Sequence, residues 1–231
     1  MALPKLETPT YELTLPSTGK KIKYRPFLVR EHKILLSITE LDNDEISRVV
    51  KDVVDVCTFN QLNVHSLPHF DIEYIFLHLR AKSISEKVDL LINCECENQI
   101  EVSFNIEDVK IEKNNDHTNK IMLTDEYGVE MNYPKFDDVI DLYSSITPDL
   151  VIDLVINNIK GIFNKDGYWD TNDYDKSDVE VFVNSLTKEQ FEKIEEFFLT
   201  APKIVHTVEA DCPKCGKHNV SRIQGLSNFF V

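Results

Sequence analysis

Glycine is scarce in this sequence, with 6 in 231 residues. No Gly-rich loop is available to cradle a phosphate, and no low-complexity tract signals extended disorder. Basic charge is also scarce. Lys and Arg number 25 against 40 Asp and Glu, a formal net charge of -15. That balance opposes a nucleic-acid groove, which needs a positive field. The densest basic stretch, Lys20 to Arg25, reads as the polar face and turn of a hairpin. No window reaches the roughly 18 apolar residues of a membrane span. Met1-Ala-Leu-Pro-Lys5 lacks the pattern of a secretory signal, so a reducing, cytoplasmic setting is expected. The five cysteines are an odd number, which argues against a closed disulfide framework. There is no Gly-x-Ser-x-Gly elbow and no His-Glu-x-x-His helix, so the residues suggest no enzyme.

What the chain does have is concentrated at its end. Cys212-Pro-Lys-Cys215-Gly216 places two thiols where both can reach one metal, with a glycine for the tight turn behind them. A second pair, Cys94-Glu-Cys96, also lies between strand-like runs, Val88–Ile92 and Ile100–Phe104. Two strand–knuckle–strand units facing each other would make a zinc-ribbon-like site. Cys94, Cys96, Cys212 and Cys215 are therefore the expected ligands of one structural Zn2+, with His206 and His218 in reserve. Plain packing of the thiols is one alternative. A redox dithiol is the other, but it would open a helix, and a turn and strand follow Cys215 here.

The rest of the pattern is α+β, with helices and short hairpins in irregular order. Residues 10–28 read as a hairpin, and helices are expected at 29–40 (Ile34, Leu35, Ile38), 43–58 with Asp42 as cap, and 71–82. Cys57 falls on the apolar side of the second and reads as a small buried hydrophobe. A second hairpin is expected around Asp125–Gly128, then helices at 135–145 and 148–163, the latter starting at Thr147-Pro148. Residues 164–176 are acidic and aromatic but fit no register of a calcium loop. They read as an exposed loop with Tyr168 and Trp169 folded onto the body or, as the sharper reading, as a loop that offers these two residues to a partner. Capping boxes at Ser177–Glu180 and Thr187–Gln190 start two more helices. Because one metal would tie the middle of the chain to its end, a single interlocked domain over 1–231 is expected. Its sub-regions are 1–86, 87–133, 134–199 and 200–231.

The ordered set Phe182–Ile194, Phe197-Phe198, Pro202-Lys203, Cys212–Gly216 and Gly225–Phe230 resembles the T4-type phage baseplate hub assembly family. Leu3–Leu13, Gly19–Phe27 and Cys94-Glu-Cys96 look like the same family, so the resemblance covers most of the chain. It implies a non-enzymatic protein that helps build, or joins, the central hub of a contractile-tail baseplate. The place implied is the host cytoplasm during assembly, with the virion tail baseplate as an end point, and the partners implied are other hub and hub-assembly proteins. The apolar tail, with Leu226, Phe229, Phe230 and Val231, either docks on its own domain or is offered to a hub partner. The rival readings are a zinc-ribbon regulator associated with nucleic acid and, third, a metal-dependent enzyme.

Overall fold

A computed structural model describes residues 6–37, 42–140, 142 and 146–224. The tail positions Leu226, Phe229, Phe230 and Val231 lie outside the described residues. Contacts divide the chain into two compact units, Met1–Glu112 with Lys203–Val231, and Lys113–Pro202.

The first unit opens with the expected hairpin, β1 (Tyr11–Thr14) against β2 (Lys21–Tyr24). Alternation puts Leu13, Leu15, Ile22 and Tyr24 inside. The Ser17 backbone N–H in its turn donates to Asp71 Oδ1 at 3.0 Å. Three helices follow: α1 (Val29–Leu36), α2 (Asn43–Cys57) and α3 (His69–Ser83). Helix α2 has the expected cap: Asp42 accepts from the Glu45 N–H, and Glu45 reaches back to the Asp42 N–H. Cys57 is fully buried, as its spacing implies. Helix α1 departs from expectation. Its buried residue is Glu31, while Ile34 is half exposed, and Ile38 is outside the described residues. Helix α3 buries side chains around its whole circumference, from Phe70 through Ile75 to Arg80, as an interior helix does.

Two further hairpins complete this unit. Strands β3 (Lys87–Asn93) and β4 (Gln99–Asn105) pair antiparallel with strict in–out alternation. Strands β10 (Lys203–Asp211) and β11 (His218–Gln224) also pair antiparallel, and β5 (Lys110–Glu112) joins the free edge of β10. Their inner faces share one core: Val88, Leu90, Val102 and Phe104 meet Ile204, Val208 and Ile223. Burying each such side chain contributes about 1.5–3 kcal/mol. The middle and the end of the chain thus join within this unit.

The second unit is built on a four-stranded antiparallel sheet in the order β6 (Lys120–Met122), β7 (Gly128–Met131), β8 (Ile159–Phe163), β9 (Tyr168–Asp170). Its helices are α4 (Phe136–Ile140), α5 (Pro148–Asn158), α6 (Lys176–Asn184) and α7 (Lys188–Thr200). The Thr187 hydroxyl caps α7 in the expected box with Gln190. Helix α6 starts one residue ahead of the expected box, at Lys176 behind Asp175, so Ser177 lies inside the helix and is not its cap. Helix α5 is shorter than expected: Thr147 caps it, but it ends at Asn158 and the chain turns into β8. The presumed loop at 164–176 contains strand β9, a hairpin partner of β8. Ile194 and Phe197 of α7 pack on Val129, Met131 and Ile159 of the sheet.

Candidate metal centre

Both cysteine pairs sit on hairpin tips. The 93–99 turn between β3 and β4 closes with Cys94 N–H donating to Asn98 O at 2.9 Å, and Glu97 N–H donating to Cys94 O at 2.9 Å. The 211–218 turn between β10 and β11 closes in the same manner, with Cys212 N–H on Lys217 O at 2.9 Å and Gly216 N–H on Cys212 O at 2.8 Å. In each turn the residue after the second cysteine is left-handed: Glu97 at φ 63° and Gly216 at φ 74°. Glycine takes that conformation freely, whereas glutamate bears a strain of about 1–2 kcal/mol. The first knuckle is shorter by one residue and adopts this strained turn.

The shared core of the two hairpins sets the tips against each other. Cys94 Sγ lies 3.7 Å from Cys215 Sγ, and Cys96 Sγ lies 3.6 Å from Cys212 Sγ. All four sulfurs fall within 4.8 Å of one another. A disulfide needs about 2.05 Å, so these are four free thiols. Four thiolates each about 2.3 Å from one zinc stand about 3.8 Å apart along the tetrahedron's edges. The observed spacing fits that arrangement, and the donors are soft sulfurs suited to such a metal. Cys94 and Cys212 are buried at the end of the shared core, and Cys96 packs on it. Cys215 is the exposed residue of the four.

The electrostatics suit a cation. Burial pushes the Cys212 thiol up, but the N–H groups of Cys215 and Lys214 and the neighbouring thiols outweigh it, bringing Cys212 to about 6. The N–H of Cys96 is the main cause holding Cys94 below its ordinary value. At Cys215 the Lys217 N–H lowers the thiol, yet the three surrounding sulfurs push it up to about 12. Four sulfurs this close cannot all carry charge unless a cation replaces their protons. Around them, Asn98 Nδ2 lies 3.6 Å from Cys212 Sγ, and Lys217 pairs with Glu95 at 2.5 Å across the two tips. Sequence reading identified the four cysteines but not Asn98 or this ion pair.

The reserve ligands are occupied elsewhere. His206 stacks on Phe104 with centroids 4.2 Å apart. His218 Nδ1 is 2.8 Å from Asp211 Oδ1, on the outside of its strand. Neither joins the thiol cluster among the described residues.

Tyr168 and Trp169, expected as one contact patch, are adjacent on β9 and therefore point to opposite faces of the sheet. Tyr168 lies across Gly161, whereas Trp169 stands opposite Ile162 and beside Tyr127, at a centroid distance of 6.5 Å. Both are about two-fifths exposed, at 45% and 38%. Among the described residues no helix is long and apolar enough to cross a membrane.

The family model described as T4 bacteriophage base plate protein matches residues 8–231. No curated protein and no solved structure matches the chain. The match spans nearly the whole sequence, and the chain belongs to this T4 bacteriophage base plate protein family.

Proposed function

We propose that this member of the T4 base plate protein family is a non-enzymatic component or assembly factor of the baseplate hub, closed by one structural zinc. The observation that carries the zinc reading is the convergence of Cys94, Cys96, Cys212 and Cys215 from two hairpin tips 116 or more residues apart in sequence. Four cysteines would fill the coordination sphere, so the metal supplies rigidity and leaves no position open for a substrate. These residues orient and hold the two hairpins; the chemistry of the metal ends there. The family match supports a place in the tail baseplate, and the residue-level resemblance to hub assembly proteins supports the hub. On this reading the protein folds in the host cytoplasm and meets its hub partners there.

The test is co-expression with the hub proteins and, separately, with the peripheral proteins of a T4-type baseplate, followed by size-exclusion chromatography. A stoichiometric complex with a hub protein is expected. Co-elution with peripheral proteins alone would place the chain elsewhere in the baseplate.

A further inference from the structure

The second unit carries a feature that the thiol cluster does not explain. On the face of the sheet where Trp169 meets Ile162, a groove of about 320 Å³ is walled by Ile162, Trp169, Tyr174 and Val179, with Thr171 in its lining. Its one charged lining residue is Asp178. Three parts of the fold build it. Strand β8 supplies Ile162, the edge strand β9 supplies Trp169, and the segment running from the Tyr174 turn into the first turn of α6 supplies Tyr174 and Asp178. The Thr171 hydroxyl fixes that turn on the sheet, donating to Ile159 O at 2.7 Å. Tyr174 is half exposed.

The segment that carries the groove is mostly acidic. Asp166, Asp170, Asp173, Asp175, Asp178 and Glu180 crowd 15 residues that carry a single lysine, Lys176. Asp170 is engaged by Asn172. Lys176 leans toward Asp153, at 3.8 Å. Among the described residues no cation pairs with Asp173, Asp175 or Asp178. The start of α6 favours acids at its cap and first turn, which accounts for Asp175 and Asp178 but not for Asp173.

We propose that this groove is a docking site for an arginine-bearing segment of a partner protein. Flat aromatic walls with a carboxylate in the lining match a guanidinium, which stacks on a ring face while its N–H fork meets the carboxylate. The apolar walls take the methylene stem, and the groove has room for one long side chain rather than a large ligand. The surrounding acids repel anionic ligands and steer a basic segment in. The proposal rests on the assembly reading only for the identity of the protein that supplies the arginine.

Trp169 is the single tryptophan of the chain, so its fluorescence reports on the groove directly. The full-length protein is titrated with hexa-arginine, hexa-lysine and hexa-glutamine peptides at about 0.1 M salt, where distant charges are largely screened. A saturable change with hexa-arginine is expected, weaker with hexa-lysine and absent with hexa-glutamine. Asp178→Asn and Tyr174→Ala should each weaken hexa-arginine about fivefold, the scale of one exposed ion pair or one cation–π contact. Glu189→Gln, an equal charge change on α7, should leave it unaltered. Equal affinity of the wild type and Asp178→Asn, or an equal response to hexa-glutamine, would overturn the proposal, and circular dichroism separates loss of binding from loss of fold. No baseplate protein is used, so peptide binding without a hub complex would retain the groove and remove the hub role. A hub complex undiminished by Asp178→Asn and Tyr174→Ala would exclude the hub protein as the source of the arginine.

Discussion

At the scale of single residues, Glu31 shows how a charge is kept inside this fold. Its side chain is 5% exposed and lies 3.0 Å from Arg25, itself 8% exposed. It also accepts the Leu28 backbone N–H at 2.7 Å, ahead of α1, and the Arg30 Nε at 2.5 Å. Burial alone would raise its pKa, but the hydrogen bonds from Arg25, Arg30 and Leu28 together hold it below the ordinary carboxylate value. A lowered native pKa means that the contribution is fully present above about 4.5 and is lost as pH falls through the native value. Glu31→Ala leaves Arg25 buried without its carboxylate and should cost about 3 kcal/mol in urea unfolding at pH 7. The difference between wild type and variant should shrink as pH falls from about 4.5 through the lowered native value, where the wild type loses the charge that the variant lacks. The sequence concealed this residue, because Ile34 and Leu35 outline a helical stripe and nothing local marks a glutamate for burial. The opposite holds for the four cysteines. Thiol pairs at short spacing between alternating strands carry their own chemical signature.

At the scale of elements, local chemistry was legible where it decides the outcome. The caps at Asp42, Thr147 and Thr187 were readable because a side chain satisfies a backbone donor three residues on. The β3–β4 and β10–β11 hairpins were readable from two-residue alternation and from knuckles that force a turn. The α5–β8 boundary was not. Val151, Leu154, Val155, Ile159 and Ile162 satisfy a helical period, yet Ile159 to Phe163 is an inner strand between β7 and β9. Pairing with two distant strands outweighs local period, and that pairing is not written in the segment itself. Gly161 reports the difference. A Cβ there would come within 2.4 Å of the Tyr168 ring. Gly161→Ala would be favourable in a helix, but here it must displace the far end of the half-exposed Tyr168 side chain and should cost about 1 kcal/mol. Thermal melts of Gly161→Ala, Tyr168→Ala and the double variant should show the double recovering most of the clash.

At the scale of the whole molecule, the feature that joins distant parts of the sequence is the thiol cluster. Two hairpins share one apolar core within the unit formed by Met1–Glu112 and Lys203–Val231, and their tips hold four sulfurs at tetrahedral spacing. The core orients the hairpins, and on the proposed reading a metal on Cys94, Cys96, Cys212 and Cys215 would lock the orientation that the protein presents to its neighbours. The family match supports a place in the baseplate, and the proposed role of the cysteines is to hold this unit together. The measurement that bears most directly on this account is native mass spectrometry of the purified chain before and after chelation, with Cys96→Ser alongside. One zinc per chain is predicted, lost on chelation together with compactness and absent or sharply reduced in Cys96→Ser. A compact, metal-free chain with four freely alkylated thiols at these positions would contradict it.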